Sequence, residues 1–387
     1  MGVCIVGWAH SRFGKLEGVD LETLIGQVTR EAIAHAAIPA SDVDALWLGN
    51  FNGGLVTENF CSSLILHADE ALRWKPATRV ENACASGSAA IYSACDAIEA
   101  GRARIALVVG AEKMTSVSGE TVTRVLGSAA HASEIAAGAT FPGIFAAIAQ
   151  AYFARYGEHS TTLARIAAKN HANGVRNPYA QLRKDLGFEF CNTVSERNPM
   201  IVAPLRKTDC SLVSDGAVAM VLADESLARQ FPRAVRFLAR AHVSDRMPMA
   251  GRDLTQFEGP SRAWSQAFEA GRCKLSDLSF AEVHDCFTIA ELLAYESMGL
   301  AKHGEGRRLI EEGIVMPDGR MPVNVSGGLK AKGHPIGATG VSMHAICAMQ
   351  LTGDAGEMQL PNPSIAGLLN MGGSAVASYV SLLERVH

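Results

Sequence analysis

Charge is scarce in this chain: Asp, Glu, Lys and Arg make up 19% of the 387 residues, against 48% hydrophobic, and so apolar a composition excludes a disordered protein. Nor are cations in excess. Lys plus Arg number 35 against 39 Asp plus Glu, for a net charge of -4, which leaves nothing to neutralise a phosphate backbone and excludes nucleic acid as an expected partner. The nine cysteines are an odd number and include no CxxC pair, so neither a disulfide framework nor a zinc site is indicated. Targeting signals are missing as well: Met1-Gly2-Val3-Cys4-Ile5-Val6 has no basic n-region and puts Val6 where a myristoylation signal needs Ser or Thr, and Glu384-Arg385-Val386-His387 is no peroxisomal address. The expected location is a reducing cytoplasm. The longest uncharged run, Ile135 to Ala154, is broken by Gly138, Thr140, Pro142, Gly143 and Gln150, which reads as buried protein and not as a membrane span.

What is present is a repeat in a chain too long for one hydrophobic core. Ser214-Asp215-Gly216-Ala217-Val218-Ala219-Met220-Val221-Leu222 and Gly372-Gly373-Ser374-Ala375-Val376-Ala377-Ser378-Tyr379-Val380 both pair a small-residue turn with Ala-Val-Ala in a short apolar run, the pattern of a buried strand. Upstream of each, Asn82-Ala83-Cys84-Ala85-Ser86-Gly87 and Asn324-Val325-Ser326-Gly327-Gly328 read as a strand followed by a small-residue turn into a helix. Cys84 to Asp215 is 131 positions and Ser326 to Gly373 is 47, so the first unit carries about 84 extra residues. We place this insertion at about 116–204, where Gly, Pro, Asn and His punctuate helical stretches such as Ile144 to Tyr156 and Leu163 to Asn173; loops that cover substrate arise this way. Strands such as Ile105 to Val109 alternate with helices such as Leu21 to Ala37 and Ser88 to Ala100, the order of parallel sheets covered by helices. The expected organisation is two similar α/β halves, 1–225 and 226–387.

Three motifs carry chemistry. Cys84 lies at a tight strand-to-helix corner, where helix N–H groups favour a thiolate and can bind an oxyanion; a small cysteine packing a helix start would look the same. The run Val323 to Gly340 has glycines at Walker A spacing in Gly328 and Gly333, but His334 and Pro335 stand where Lys and Ser or Thr are needed. It reads instead as a glycine-rich loop holding His334 before a helix that starts near Thr339, able to activate a thiol or to donate to a thioester oxygen, unless His334 is a solvated loop residue. In Glu282-Val283-His284-Asp285-Cys286-Phe287, an extended backbone would send His284 and Cys286 to one face. No further ligands at regular spacing lie near them, so no metal is expected.

Together these motifs resemble the thiolase family over essentially the whole chain: Asn82 to Gly87 is similar to the nucleophile motif, Gly333-His334-Pro335 to the GHP motif, and His284-Asp285-Cys286-Phe287 to the HDCF motif of the sterol-carrier-protein-2-type branch and its bacterial and archaeal relatives. Lys169-Asn170-His171, Asp209-Cys210-Ser211 and Ser214-Asp215-Gly216 also resemble that branch. One departure is plain. Conventional thiolases end in a CxG motif whose Cys is the acid/base, whereas this chain has Asn370-Met371-Gly372-Gly373. The resemblance implies a thiolase fold, two βαβαβαββ halves packed as five layers (α-β-α-β-α). It implies Cys84 as nucleophile, activated by His334 and the first thiol expected to react with iodoacetamide. His284 would stand in place of the conventional Asn, and Cys286 would be the acid/base. Gly372 N–H would join that of Cys84 in an oxyanion hole. Coenzyme A and acyl-CoA enter as substrates with no permanently bound cofactor, in a homodimer or tetramer. A small zinc-ribbon/OB-fold protein is an optional partner, since some enzymes of the branch act beside one. The reaction implied is thiolysis of a 3-oxoacyl-CoA or the reverse Claisen condensation. A Claisen-only synthase of the ketoacyl synthase III or HMG-CoA synthase type, and a non-catalytic CoA-thioester-binding scaffold, are the alternatives.

Overall fold

The computed structural model describes residues 2–387. Eleven strands form: β1 (Val3–His10), β2 (Ala45–Gly49), β3 (Ala77–Val80), β4 (Ile105–Glu112), β5 (Met200–Val202), β6 (Leu205–Arg206), β7 (Gly216–Asp224), β8 (Val235–Ser244), β9 (Phe280–Val283), β10 (Ile365–Gly372) and β11 (Ala377–Arg385). All but the β5–β6 hairpin belong to one nine-stranded sheet of order β3-β2-β4-β7-β1-β8-β11-β10-β9. This order is symmetric about the β1–β8 pair: β7 runs antiparallel between β4 and β1, and β11 runs antiparallel between β10 and β8. The two Ala-Val-Ala repeats thus lead into equivalent strands.

Two features were not anticipated. The halves share a continuous sheet, joined by Cys4 opposite Arg236 and Ile5 opposite Val235. The second half also has one strand fewer, its counterpart of β3 reduced to a single bridge between Ala281 and Val323. Pro322 has no N–H for a ladder, Asn324 turns the chain with φ 57°, and its side chain accepts from Val283 N (2.7 Å) where a strand would have continued.

Helices α1 (Leu21–His35) and α2 (Ser86–Glu99) precede β4, and the chain between β4 and β7 holds α3 (Gly119–Gly127), α4 (Ala132–Ala136), α5 (Phe141–Tyr156), α6 (Ser160–Val175) and α7 (Gly187–Asn192). The second half adds α8 (Glu258–Gly271), α9 (Thr288–Ser297), α10 (Arg307–Glu311), α11 (Gly328–Lys332) and α12 (Ile336–Thr352). One outer layer is α1 on β1, β4 and β7; the other is α8 on β8 and β11. Between the folded-over halves of the sheet lie α2 and α12, the latter buried from Ile336 to Leu351. These are the five layers. The two central helices cross in backbone contact: a Cβ on Gly87 would come within 2.8 Å of Gly337 O, and one on Gly340 within 2.3 Å of Ser88 N. Glycine alone permits that approach, and it brings the N-termini of α2 and α12 together.

Candidate active site

Cys84 occupies the corner between β3 and α2. Ala83 is held at φ 49°, a left-handed conformation costing roughly 1–2 kcal/mol for a residue with a Cβ. Short side chains hold it there: Ser86 Oγ accepts from Asn82 N (2.9 Å) and donates to Ala83 O (2.6 Å), Glu81 Oε1 accepts from Ala83 N (2.6 Å), and Asn82 Nδ2 donates to Tyr379 OH (2.8 Å). The end of β10 abuts the corner so closely that a Cβ on Gly372 would sit 2.5 Å from Asn82 O. It is the Gly373 N–H that reaches the Cys84 sulfur. That neighbour was not singled out from sequence. The thiol itself departs from the expectation of a favoured thiolate. Burial pushes it up to about 12, with the Gly373 N–H pulling the other way.

His334 comes from the loop between α11 and α12. Its backbone N–H donates to Ser214 Oγ (3.0 Å). Gly337, two residues into α12, donates to Glu112 Oε2 (3.0 Å). Glu112 also accepts from Asn50 Nδ2, Phe51 N and Asn52 N at 2.9 Å each, so one buried carboxylate at the end of β4 ties two loops to the sheet. Burial pushes Glu112 up to about 7 while the N–H groups pull it down. Thr339 Oγ1 donates to Pro335 O (3.0 Å) and lies 2.7 Å from His334 Nδ1. Its own proton being used, the hydroxyl accepts from Nδ1–H, which leaves Nε2 with a lone pair and no protein partner. Burial and the Lys332 ammonium hold His334 down to about 3, so the ring is neutral. The helix expected from about Thr339 starts at Ile336, directly after Pro335.

The segment His284 to Cys286 lies beyond the end of β9, so strand alternation does not aim it. Asp285 does. Its carboxylate accepts from Leu329 N (2.6 Å), Lys330 N (3.2 Å) and Asn170 Nδ2 (2.8 Å), capping the short α11 and fastening both loops to α6. Behind it Glu291 accepts from Lys169 Nζ, Asn170 Nδ2 and Tyr295 OH, each at 2.5 Å. Asp285 is pushed up to about 7 by burial and by Glu291.

The result is a convergence. The Cys84 sulfur and one ring nitrogen each of His284 and His334 lie within 4.8 Å of one another, and the two rings meet edge to face with centroids 5.1 Å apart. Among the described residues this is the one group of three Cys, His or carboxylate ligand atoms so close together, a juxtaposition across 250 positions that local spacing could not reveal. Cys286 is buried beside it, its thiol raised well above the ordinary range by burial and by the neighbouring Cys84. A cavity of about 590 Å³ opens onto Cys84, Cys286 and His334, with Val122, Leu126 and Phe141 of the insertion among its walls. Gly372 lines a separate pocket behind the corner, with Asn82 and Ala83.

Residues 3–226 match the family model described as thiolase, N-terminal domain, and residues 241–385 the one described as thiolase C-terminal domain-like. An acetyl-CoA acetyltransferase of Methanothermobacter thermautotrophicus is 36% identical, with 99% of each chain covered. Human sterol carrier protein 2 is 30% identical over 97% of this chain and 70% of its own length. Among solved structures, a chain of the Ltp2-ChsH2(DUF35) aldolase superposes with a TM-score of 0.85 at 22% identity, covering 99% of this chain and 98% of that one. Human mitochondrial 3-ketoacyl-CoA thiolase in complex with CoA gives 0.76 at 17% identity, covering 100% and 98%. The Cys84 corner, the 284–287 loop and the 333–335 turn therefore sit in a fold and a sequence of known kind: the chain belongs to the thiolase family of acyltransferases, in the branch of the archaeal acetyl-CoA acetyltransferases and the sterol-carrier-protein-2 proteins.

Proposed function

We propose that the chain catalyses reversible thiolysis of a 3-oxoacyl-CoA through an acyl-Cys84 intermediate, with units 1–225 and 226–387 supplying the nucleophile and the histidines respectively. The observation that carries this reading is the convergence of Cys84, His284 and His334 within 4.8 Å. The thiol is protonated at rest, so attack needs a base, and the free Nε2 lone pair of His334 is the acceptor at hand. Proton transfer from sulfur to imidazole leaves the pair without net charge, which lessens the penalty of burial. Cys84 sulfur adds to the C3 carbonyl, and the oxyanion is met by N–H groups at the corner. The C2–C3 bond then breaks, and the departing carbanion takes the proton of the Cys286 thiol, which its raised position keeps protonated until needed. In the second half-reaction CoA–SH gives its proton to the Cys286 thiolate and attacks the acyl-Cys84 thioester. The imidazolium of His334 returns its proton to the leaving Cys84 sulfur, so both thiols are restored.

The apolar side chains that the insertion lends to the cavity, Val122, Leu126 and Phe141, favour an acyl chain longer than acetyl. The superposition on a chain of an aldolase that contains a DUF35 protein favours a second reading, carbon-carbon cleavage without acyl transfer, beside a small partner. Incubation with an acyl-CoA followed by mass analysis separates the two. Acyl mass on the Cys84 peptide, discharged by added CoA, supports thiolysis; turnover of a 3-hydroxyacyl-CoA with Cys84 never acylated would replace it.

A further inference from the structure

Asn370 stands where conventional thiolases place their acid/base cysteine, and it has no proton to shuttle. It is nonetheless wholly buried beside the site and fully engaged. Ser88 Oγ lies 2.7 Å from its Oδ1, in space left by Gly340, where a Cβ would fall 2.7 Å from the same oxygen. Its Nδ2 lies 3.3 Å from Cys84 O and 3.0 Å from His284 Nδ1. A carbonyl oxygen can only accept, so the amide atom facing Cys84 O is the nitrogen, and the orientation of the amide follows from chemistry. The same nitrogen then points a hydrogen at His284 Nδ1, which must accept it.

We propose that Asn370 is a positioning residue that locks His284 in the Nε2–H tautomer, making this ring a hydrogen-bond donor in the site while His334 remains an acceptor. His284 Nδ1 is spent on the amide, and Nε2 makes no hydrogen bond with the described residues, so its N–H is left free for a ligand. Two histidines whose centroids are 5.1 Å apart are thereby given opposite roles by their outer partners, an amide donor behind one and a hydroxyl acceptor behind the other. The thiolase reading supplies the reaction in which a donor at this point stabilises developing negative charge on oxygen. The tautomer itself does not depend on that reading.

The test uses the full chain labelled with ring-¹⁵N histidine, His284 being identified by the signals lost in His284→Gln. Wild-type His284 should show an unprotonated Nδ1 and a protonated Nε2; a protonated Nδ1 overturns the proposal whatever the activity. In Asn370→Asp the carboxylate accepts, so the tautomer should reverse to Nδ1–H, and an unchanged pattern also counts against us. Asn370→Leu keeps the volume and removes the donor: kcat for thiolysis should fall about 10²- to 10³-fold, with KM within about threefold. Wild-type kcat in that variant would mean that Asn370 only fills space. If neither variant folds, the wild-type spectrum decides alone.

Discussion

Replacing Cys286 by Ala separates chemistry from structure. Cys286 is 3% exposed and its sulfur is met by the Phe287 N–H alone, so the substitution removes one sulfur and leaves a void on the order of 30 Å³. At about 24 cal/mol per Å³ that void costs well under 1 kcal/mol, and with the lost transfer of a small apolar group the total is about 1 kcal/mol. A family fold with a core this extensive tolerates such a loss. Losing the proton donor to the departing carbanion should instead lower thiolysis by about 10²- to 10⁴-fold, or roughly 3–5 kcal/mol of barrier. Transfer of an acyl group from a simple acyl-CoA to Cys84 runs the second half-reaction backwards; the departing CoA thiolate is a weak base that can leave before it takes the Cys286 proton, so this step should lose less than about tenfold. Stopped-flow thiolysis and single-turnover acylation followed by intact mass give both numbers on one preparation, with urea unfolding as the control. Thiolysis retained above about a tenth of wild type would show that Cys286 only packs beneath the site. Loss of both steps together would place it in the activation of Cys84.

Because burial holds His334 near 3 and Cys84 near 12, acylation of Cys84 should be flat with pH across the neutral range, falling only where acid protonates His334; a titration near 6.5 or 8.5 in the acylation rate would refute this. Glu112→Gln is isosteric but turns an NH2 toward donors that now meet carboxylate oxygen, so it should cost about 1–3 kcal/mol in urea unfolding, and an unchanged midpoint would mean that the carboxylate is not the tie between the two loops. Across unbranched 3-oxoacyl-CoA substrates, kcat/KM should rise about fourfold for each added CH2 until the cavity is filled, from roughly 0.8 kcal/mol per buried methylene. A series that peaks at acetoacetyl-CoA would refute the assignment of the apolar wall to the acyl chain.

The parts of the candidate site legible in sequence are those where residue types of known chemistry are written consecutively: the Cys84 corner, the 284–287 segment and the 333–335 turn. What stayed hidden is what holds them. Glu112 reads as the polar end of an apolar strand, and nothing near it shows that it meets Gly337 N from 225 positions away. Lys169 and Asn170 stand out in sequence only as part of a run shared with the branch, with no role attached, and Glu291 looks like an ordinary helical polar residue until α6 and α9 pack and bury all three. Asn370 reads as the loss of a function when the residue type is compared with a cysteine, whereas the role proposed for it depends on Ser88, Cys84 and His284, all distant in sequence. A helix after Gly328 was legible from its small-residue turn, but not its cap, since the N-terminal N–H groups of α11 are satisfied by Asp285 from another loop and not by a residue of its own. The β1–β8 junction was equally invisible, because two apolar strands do not announce which edges they will share.

The crossing of α2 and α12 at Gly87 and Gly340 places Cys84 and His334, the proposed nucleophile and base, on opposite sides of one contact. Cys84 precedes the first helix by two residues and His334 precedes the second by two, and the backbones touch within the first turns of both. The distance from sulfur to imidazole is therefore set by a hard stop between main chains, with no long side chain to absorb a shift. Any displacement of one half against the other, whether from a substitution on an outer layer or from a subunit docking at a distant edge, must be transmitted to this pair almost undiminished. The active site is in effect a gauge of how the halves are seated.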